Sequence, residues 1–245
     1  MTYCVGMSLD RGLVFMADTR TSAGVDNVST YRKLFSWEVP GERFLTMMTA
    51  GNLATTQSVI SIIDEQIHAG DDSPSIVNAP SMFRVADRVG QTLRKTIRAH
   101  ETGGEQEAQA FNASVVVGGQ IRGEAPRMFM VYPEGNFVES ALDTPFFQLG
   151  ETKYGKPILV RAYTPEMSFE DAVKLLIVSF DSTIKSNLSV GLPLDLQIYA
   201  KDSFRNGRSL RIDDSDAYYR TISDGWSQAI QLAFDSLPDF TFPEV

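Results

Sequence analysis

The stretch Thr2-Tyr3-Cys4-Val5-Gly6-Met7-Ser8-Leu9, the link Asp10-Arg11-Gly12 and the stretch Leu13-Val14-Phe15-Met16-Ala17-Asp18-Thr19 decide the fold. Both long arms are nearly continuously apolar, the pattern of strands covered on both faces. The link between them is made of turn formers and predicts a hairpin. In a tight hairpin of this length, Thr2 lies opposite a residue within about two positions of Asp18 or Arg20. A carboxylate therefore sits near a hydroxyl at the start of the chain.

That hydroxyl has a particular chemistry. Once Met1 is removed, Thr2 carries a free α-amine beside its own Oγ1. The amine can take the hydroxyl proton while the oxygen attacks a carbonyl. Lys33 follows the excursion 19–33, where Gly24 is a turn residue, and opens a third strand, KLFSWEV. An ammonium beside a terminal amine disfavours the amine's protonated form, lowering its pKa from about 7.7–8.0. Asp18 would hold that lysine in place. The same two residues also read as an ordinary ion pair on a hairpin rim.

Composition narrows the classes. At 245 residues, 43% hydrophobic and 22% charged, the chain has the make-up of a soluble globular protein with one large core. A net charge of −9 argues against nucleic-acid or anionic-membrane partners. The start lacks the pattern of a signal peptide, and no apolar run is long enough to span a bilayer. The single cysteine, Cys4, excludes an intramolecular disulfide and fits the reducing cytoplasm, where it reads as a small buried hydrophobe. No metal or cofactor is expected. His68 and His100 each end a helical pattern, with no ligand at metal spacing.

Further strands are predicted over 33–39, 43–50, 112–120 and 126–132, with 137–149 completing the same sheet. Helices are expected after Gly51-Asn52, with Leu53, Ile60, Ile63 and Ile67 on one stripe, and around Phe83, Ala86, Val89, Leu93 and Ile97. Arg84, Arg88, Arg94, Lys95 and Arg98 read as a solvated face of that second helix. Residues 101–109 read as a surface loop. Two more helices cover 152–162 and 168–187, the latter with Ala172, Val173, Leu176, Phe180 and Ile184 inward. Asn206-Gly207 predicts a hairpin between LDLQIYAKD and RSLRIDD. A last helix near 215–235 is expected to bury Tyr219, Ile222, Trp226, Ile230 and Ala233. Runs of strands alternating with runs of helices indicate an α+β architecture of stacked sheets covered by helices. Neither linker nor repeat divides residues 1–245, so one domain is expected.

Thr2, Asp18 and Lys33, followed by TAGN at 49–52 ahead of a helix, resemble proteasome β-subunits over nearly the whole chain. More narrowly, LGETKYGKPILVR (149–161) and KSNLSVGLPLDL (185–196) resemble Anbu, the bacterial ancestral-β-subunit family. The resemblance implies the four-layer αββα sandwich of N-terminal-nucleophile hydrolases. It implies Thr2 as nucleophile and base, Lys33 as its electrostatic tuner, Asp18 as the anchor of Lys33, the Gly51 N–H as oxyanion donor, and Ser189 as a retained site serine. Substrate would lie as an extended strand between Arg20, Thr21, Ser22 and Gly24 on one side and Gly51, Asn52 and Leu53 on the other. Leu53, Tyr31 and Phe35 are first-pocket candidates, the last two equally readable as core.

Three departures from proteasome β-subunits stand out. The Asp18–Lys33 spacing is one residue shorter. Glu151 occupies the place of a serine, and Ser186 that of an aspartate, so both are candidates for tuning the site. A carboxylate at 151 near the amine would oppose Lys33. The implied function is a threonine peptidase or amide hydrolase acting on peptides or unfolded proteins inside a homo-oligomeric ring or helical stack. The alternatives are a catalytically silent assembly subunit and a hydrolase of a small amide or γ-glutamyl compound. No unfoldase partner is implied.

Overall fold

The computed structural model describes residues 1–22, 28–70, 73–99 and 110–242. Gly24, His100 and the 101–109 segment lie outside them. Strands β1 (Tyr3–Leu9) and β2 (Gly12–Asp18) form the expected hairpin at the centre of a five-stranded sheet ordered β10-β1-β2-β11-β12. Its other members are β10 (Phe146–Gly150), β11 (Leu194–Ala200) and β12 (Arg208–Ile212). A second five-stranded sheet runs β5 (Leu34–Val39), β6 (Arg43–Gly51), β7 (Ala113–Ile121), β8 (Arg127–Val131) and β9 (Phe137–Glu139). Between β2 and β5, the short β3 (Arg20–Ser22) and β4 (Val28–Thr30) pair as a separate ribbon.

Strand alternation sends successive side chains to opposite faces, and three buried clusters result. Cys4, Leu13 and Phe15 meet Phe44, Met48 and Val116 between the sheets. There the Phe44 and Tyr199 rings stack at 4.7 Å. Tyr3, Val5, Val14 and Met16 point the other way, onto Leu159 of α3 (Lys156–Ala162) and Leu176 and Phe180 of α4 (Phe169–Ser186). On the far side, Leu45, Met47, Val115 and Val117 pack against α1 (Leu53–His68) and α2 (Met82–Ala99). Helices, sheet, sheet, helices: this is the αββα sandwich. Each buried Leu, Phe or Met contributes about 1.5–3 kcal/mol of transfer free energy.

Several expectations are corrected. Residues 137–149 do not complete one sheet: β9 pairs with β8, while β10 crosses to pair with β1. The third helix begins at Lys156 rather than 152. The hairpin expected around Asn206-Gly207 does form, β11 and β12 pairing antiparallel from Leu194↔Ile212 to Ile198↔Arg208, but its connection is longer than two residues. The intervening loop is instead tied to the second sheet, where Gly41 N donates to Phe204 O at 2.9 Å and Gln120 Nε2 to Asp202 Oδ1 at 2.7 Å. On α2, Phe83 faces outward against Phe137 while Met82 and Val85 take the core positions. Arg88 is not merely solvated, since its guanidinium donates to Asn78 Oδ1 at 2.7 Å. His68 does end α1, its Nδ1 lying 2.6 Å from Asp64 O.

The last helix, α5 (Ala217–Asp235), begins with an Asp216 cap as expected of an acidic N-cap, but it departs most from expectation. Tyr219 is buried and Ile222 packs partly, whereas Ile230 is 50% exposed and Ala233 is exposed. Helical periodicity reports an apolar face; it does not say that the same chain covers it.

Candidate active site

Thr2 precedes β1, and the β1–β10 register sets Tyr3 opposite Gly150. Gly150 has a φ of +77°, and a Cβ there would fall 2.0 Å from Thr2 O, so only glycine permits this approach. Glu151 N then donates to Thr2 O at 2.7 Å. Tyr3, the next residue, fixes the strand end by donating its N–H to Asp18 Oδ1 at 2.9 Å. Its phenol lies 2.7 Å from Ser179 Oγ and accepts from Gln148 Nε2 at 3.0 Å.

Asp18 closes β2 and is fully buried. Lys33, 5% exposed, reaches it with Nζ at 2.7 Å from Oδ1 and donates also to Arg20 O at 2.6 Å. Burial pushes the Asp18 carboxyl above its ordinary pKa, while Lys33 and the N–H groups of Tyr3 and Gly191 pull the other way. An ordinary rim pair would be wet; this one is dry on both sides.

Around Thr2 and Lys33 lies a cavity of about 380 Å³, lined among others by Thr21, Thr49, Gly51 and Leu53. Gly51 ends β6 with φ +116°, and a Cβ there would meet Asn112 O at 2.4 Å. Sequence reasoning thus finds Thr2, Lys33, Thr21, Gly51 and Leu53 together. It missed Arg32 and Thr56, which line the same cavity. Thr56 stands three residues after Leu53 on α1, so helical spacing could have found it.

Other candidates do different work. The Arg20 side chain turns away and donates to Leu188 O at 3.1 Å, leaving its carbonyl to hold Lys33. Asn52 caps α1, its Oδ1 accepting from Thr55 N at 3.0 Å and its Nδ2 donating to Ala110 O at 3.0 Å. Ser22 lies on β3, and its backbone pairs with Val28. Phe35 packs on the outer core, and Tyr31 is exposed; neither is among the residues lining the cavity. Ser186 Oγ bonds back to Ser182 O at 2.8 Å, satisfied by its own helix.

Glu151 is 7% exposed. Burial raises its pKa, but the net direction is downward because the Lys153 N–H, the Asn187 amide and the Thr152 N–H all bond the carboxylate. Asn187 is a further residue the sequence did not disclose. Its Nδ2 is 3.0 Å from Glu151 Oε2 and 3.2 Å from Met1 Sδ, and its Oδ1 accepts from the half-buried Ser189 at the backbone N, 3.0 Å away. The loop after α4 is thereby tied to the start of the chain.

A family model described as proteasome subunit matches residues 2–195. The solved structure of Anbu from Yersinia bercovieri is 43% identical, with 99% of this chain and 100% of that one covered at a TM-score of 0.93. The chain belongs to the Anbu family of proteasome-like subunits. The Pseudomonas aeruginosa Anbu complex, solved as a helical assembly, is 44% identical over 98% of each chain, with a TM-score of 0.90. A proteasome subunit beta 2 of Pyrobaculum calidifontis is 26% identical over 205 residues, 82% of this Anbu chain and 90% of that protein. The family fixes a threonine-hydrolase type of fold. Among the described residues, no helix is long and apolar enough to cross a membrane.

Proposed function

We propose that this Anbu chain is a threonine peptidase or amide hydrolase whose nucleophile is Thr2 Oγ1 after Met1 is removed. The observation that carries the reading is Lys33, which lines the cavity that also holds Thr2 and Gly51 and is anchored behind it by the buried Asp18. With Met1 attached, the Thr2 nitrogen is an amide and has no basic lone pair. Hydrolysis of the Met1–Thr2 bond supplies the amine. That amine takes the Oγ1 proton as oxygen attacks the substrate carbonyl, and the oxyanion meets the Gly51 N–H. The proton passes to the leaving amine, an ester remains on Thr2, and water releases the acid. Lys33, fixed by Asp18 and the Arg20 carbonyl, lowers the amine's pKa.

Substrate lies as an extended peptide along Thr21 and Gly51, with Leu53 in its side-chain pocket. The single domain assembles with other copies, enclosing the cavity. Thr2→Ala tests the reading: hydrolysis of peptides or small amides vanishes while the far-UV and near-UV dichroism stay native. Turnover at the wild-type rate would overturn it.

A second reading, a silent assembly subunit, draws on Glu151. A buried, ionised carboxylate bonded to Asn187 beside Met1 favours a protonated terminus and opposes Lys33. It predicts Met1 retained in the protein from its natural host and unchanged cellular behaviour of Thr2→Ala.

A further inference from the structure

The cavity beside Thr2 has a charge pattern that the hydrolytic step does not use. The chain carries a net charge of −9, yet among the described residues no Asp or Glu lines this cavity, while Arg32 and Lys33 both do. Lys33 is neutralised by the buried Asp18. Arg32 is exposed and makes no ion pair among the described residues. Its guanidinium is nonetheless held in place: Nε donates to Leu34 O at 2.7 Å, and Cζ lies 5.8 Å from the centre of the Phe35 ring. The two terminal nitrogens have no hydrogen bond to a described residue. A guanidinium offers such donors in a fixed plane that matches a carboxylate.

The acids nearby are engaged elsewhere. Asp195 feels Arg32: burial pushes its carboxyl above the ordinary pKa, and Arg211 and then Arg32 pull it down. Its ion pair, however, is with Arg211 at 3.4 Å, and it does not line the cavity. Glu151 gives its oxygens to Asn187 Nδ2 and to the N–H groups of Thr152 and Lys153.

The rest of the wall adds a donor and an apolar face. Met48 and Ala50 of β6 point between the sheets, so Thr49 takes the opposite face with Met47, toward α1. There Leu53 and Thr56 line the same cavity. Thr56 Oγ1 donates to Leu53 O at 3.0 Å. Thr49 is 4% exposed, and among the described residues its hydroxyl has no hydrogen-bond partner.

We propose that Arg32 sets the side-chain preference of this site, and that the residue whose carbonyl Thr2 attacks is glutamate or aspartate. The methylene stem lies on Leu53, and the carboxylate accepts from the Arg32 terminal nitrogens and from the Thr49 hydroxyl. A leucyl side chain would leave both donors unmatched, and a lysyl ammonium would meet Arg32 with like charge. The inference rests on the hydrolase reading above and narrows it to peptide bonds that follow an acidic residue.

Three fluorogenic peptide amides, differing only in Glu, Leu or Lys before the scissile bond, test it on full-length protein freed of Met1. Wild type should cleave the glutamyl substrate with the highest kcat/KM. Arg32→Gln should lower the ratio of glutamyl to leucyl kcat/KM about tenfold, and Arg32→Glu should bring the lysyl substrate above the glutamyl one. Each ratio is taken within one preparation, so poor folding of a variant lowers both rates and leaves the ratio intact. Added salt should narrow the glutamyl preference of wild type, which gives the same reading without a variant. A leucyl or lysyl preference in wild type, or a glutamyl preference that salt and both variants leave in place, overturns the acidic pocket and leaves the hydrolase reading standing. A wild type without Met1 that cleaves none of the three overturns the peptidase reading and this inference with it.

Discussion

Lys33 Nζ lies 2.7 Å from Asp18 Oδ1, and the two side chains are 7% and 0% exposed. An ion pair this dry depends on both partners, because removing one leaves the other charge buried and uncompensated. Asp18→Asn should therefore destabilise the protein by about 3–5 kcal/mol in chemical denaturation. The double variant Asp18→Asn/Lys33→Met should recover part of that loss, since no orphan charge remains. Hydrolysis should not recover with it. Restored activity in the double variant would show that Lys33 serves only the fold.

Glu151 permits a test by pH. On the proposed mechanism a carboxylate at 151 favours the protonated Thr2 amine, so Glu151→Gln should lower the amine's pKa and move the acidic limb of the kcat/KM profile to lower pH. Stability should respond in the opposite sense. A carboxyl held below its usual 4.5 in the fold contributes stability that is present above that value and lost as pH falls through the folded pKa. Wild type should thus lose its advantage over Glu151→Gln on acidification below pH 4.5. An unmoved acidic limb would place the carboxylate out of the amine's reach.

Gly51 has no room for a methyl group. With Asn112 O 2.4 Å from the site of a Cβ and a φ of +116°, Gly51→Ala must shift the end of β6 where it lines the cavity. Hydrolysis should fall on the order of 10²-fold, the scale for loss of one oxyanion donor. A Gly51→Ala variant with full activity would place the oxyanion elsewhere.

Asn52 is expected to act on stability alone. Its Oδ1 and Nδ2 are both engaged in capping α1 and holding Ala110. Asn52→Ala should cost about 1 kcal/mol, the usual price of a lost N-cap, with kcat/KM nearly unchanged. A large fall in kcat/KM at native stability would return Asn52 to the substrate-binding set.

What the sequence disclosed follows from what is local. The β1–β2 hairpin was legible because strands covered on both faces are apolar at every position, and Asp18 at the end of β2 followed from it. The β3–β4 ribbon was not, because Arg20-Thr21-Ser22 and Val28-Ser29-Thr30 carry no apolar alternation. The passage of the chain from β9 to β10 is a change of sheet, which strand patterning does not register. Asn187 meets Glu151 across 36 positions, and nothing near either residue announces it. The outer half of α5 misled for a related reason: its apolar stripe is real, but among the described residues no part of its own chain lies over it.

The account turns on whether Thr2 becomes a free N-terminus with a working hydroxyl. The direct measurement is the intact mass of the protein purified from its natural host, before and after exposure to a peptide epoxyketone. That electrophile needs a hydroxyl and a free α-amine on one residue to form its double linkage. The account predicts a mass lacking Met1, followed by an adduct that maps to Thr2 and is absent from Thr2→Ala. A retained Met1 with no adduct would contradict it, leaving Lys33 and Asp18 as structural residues of an assembly subunit.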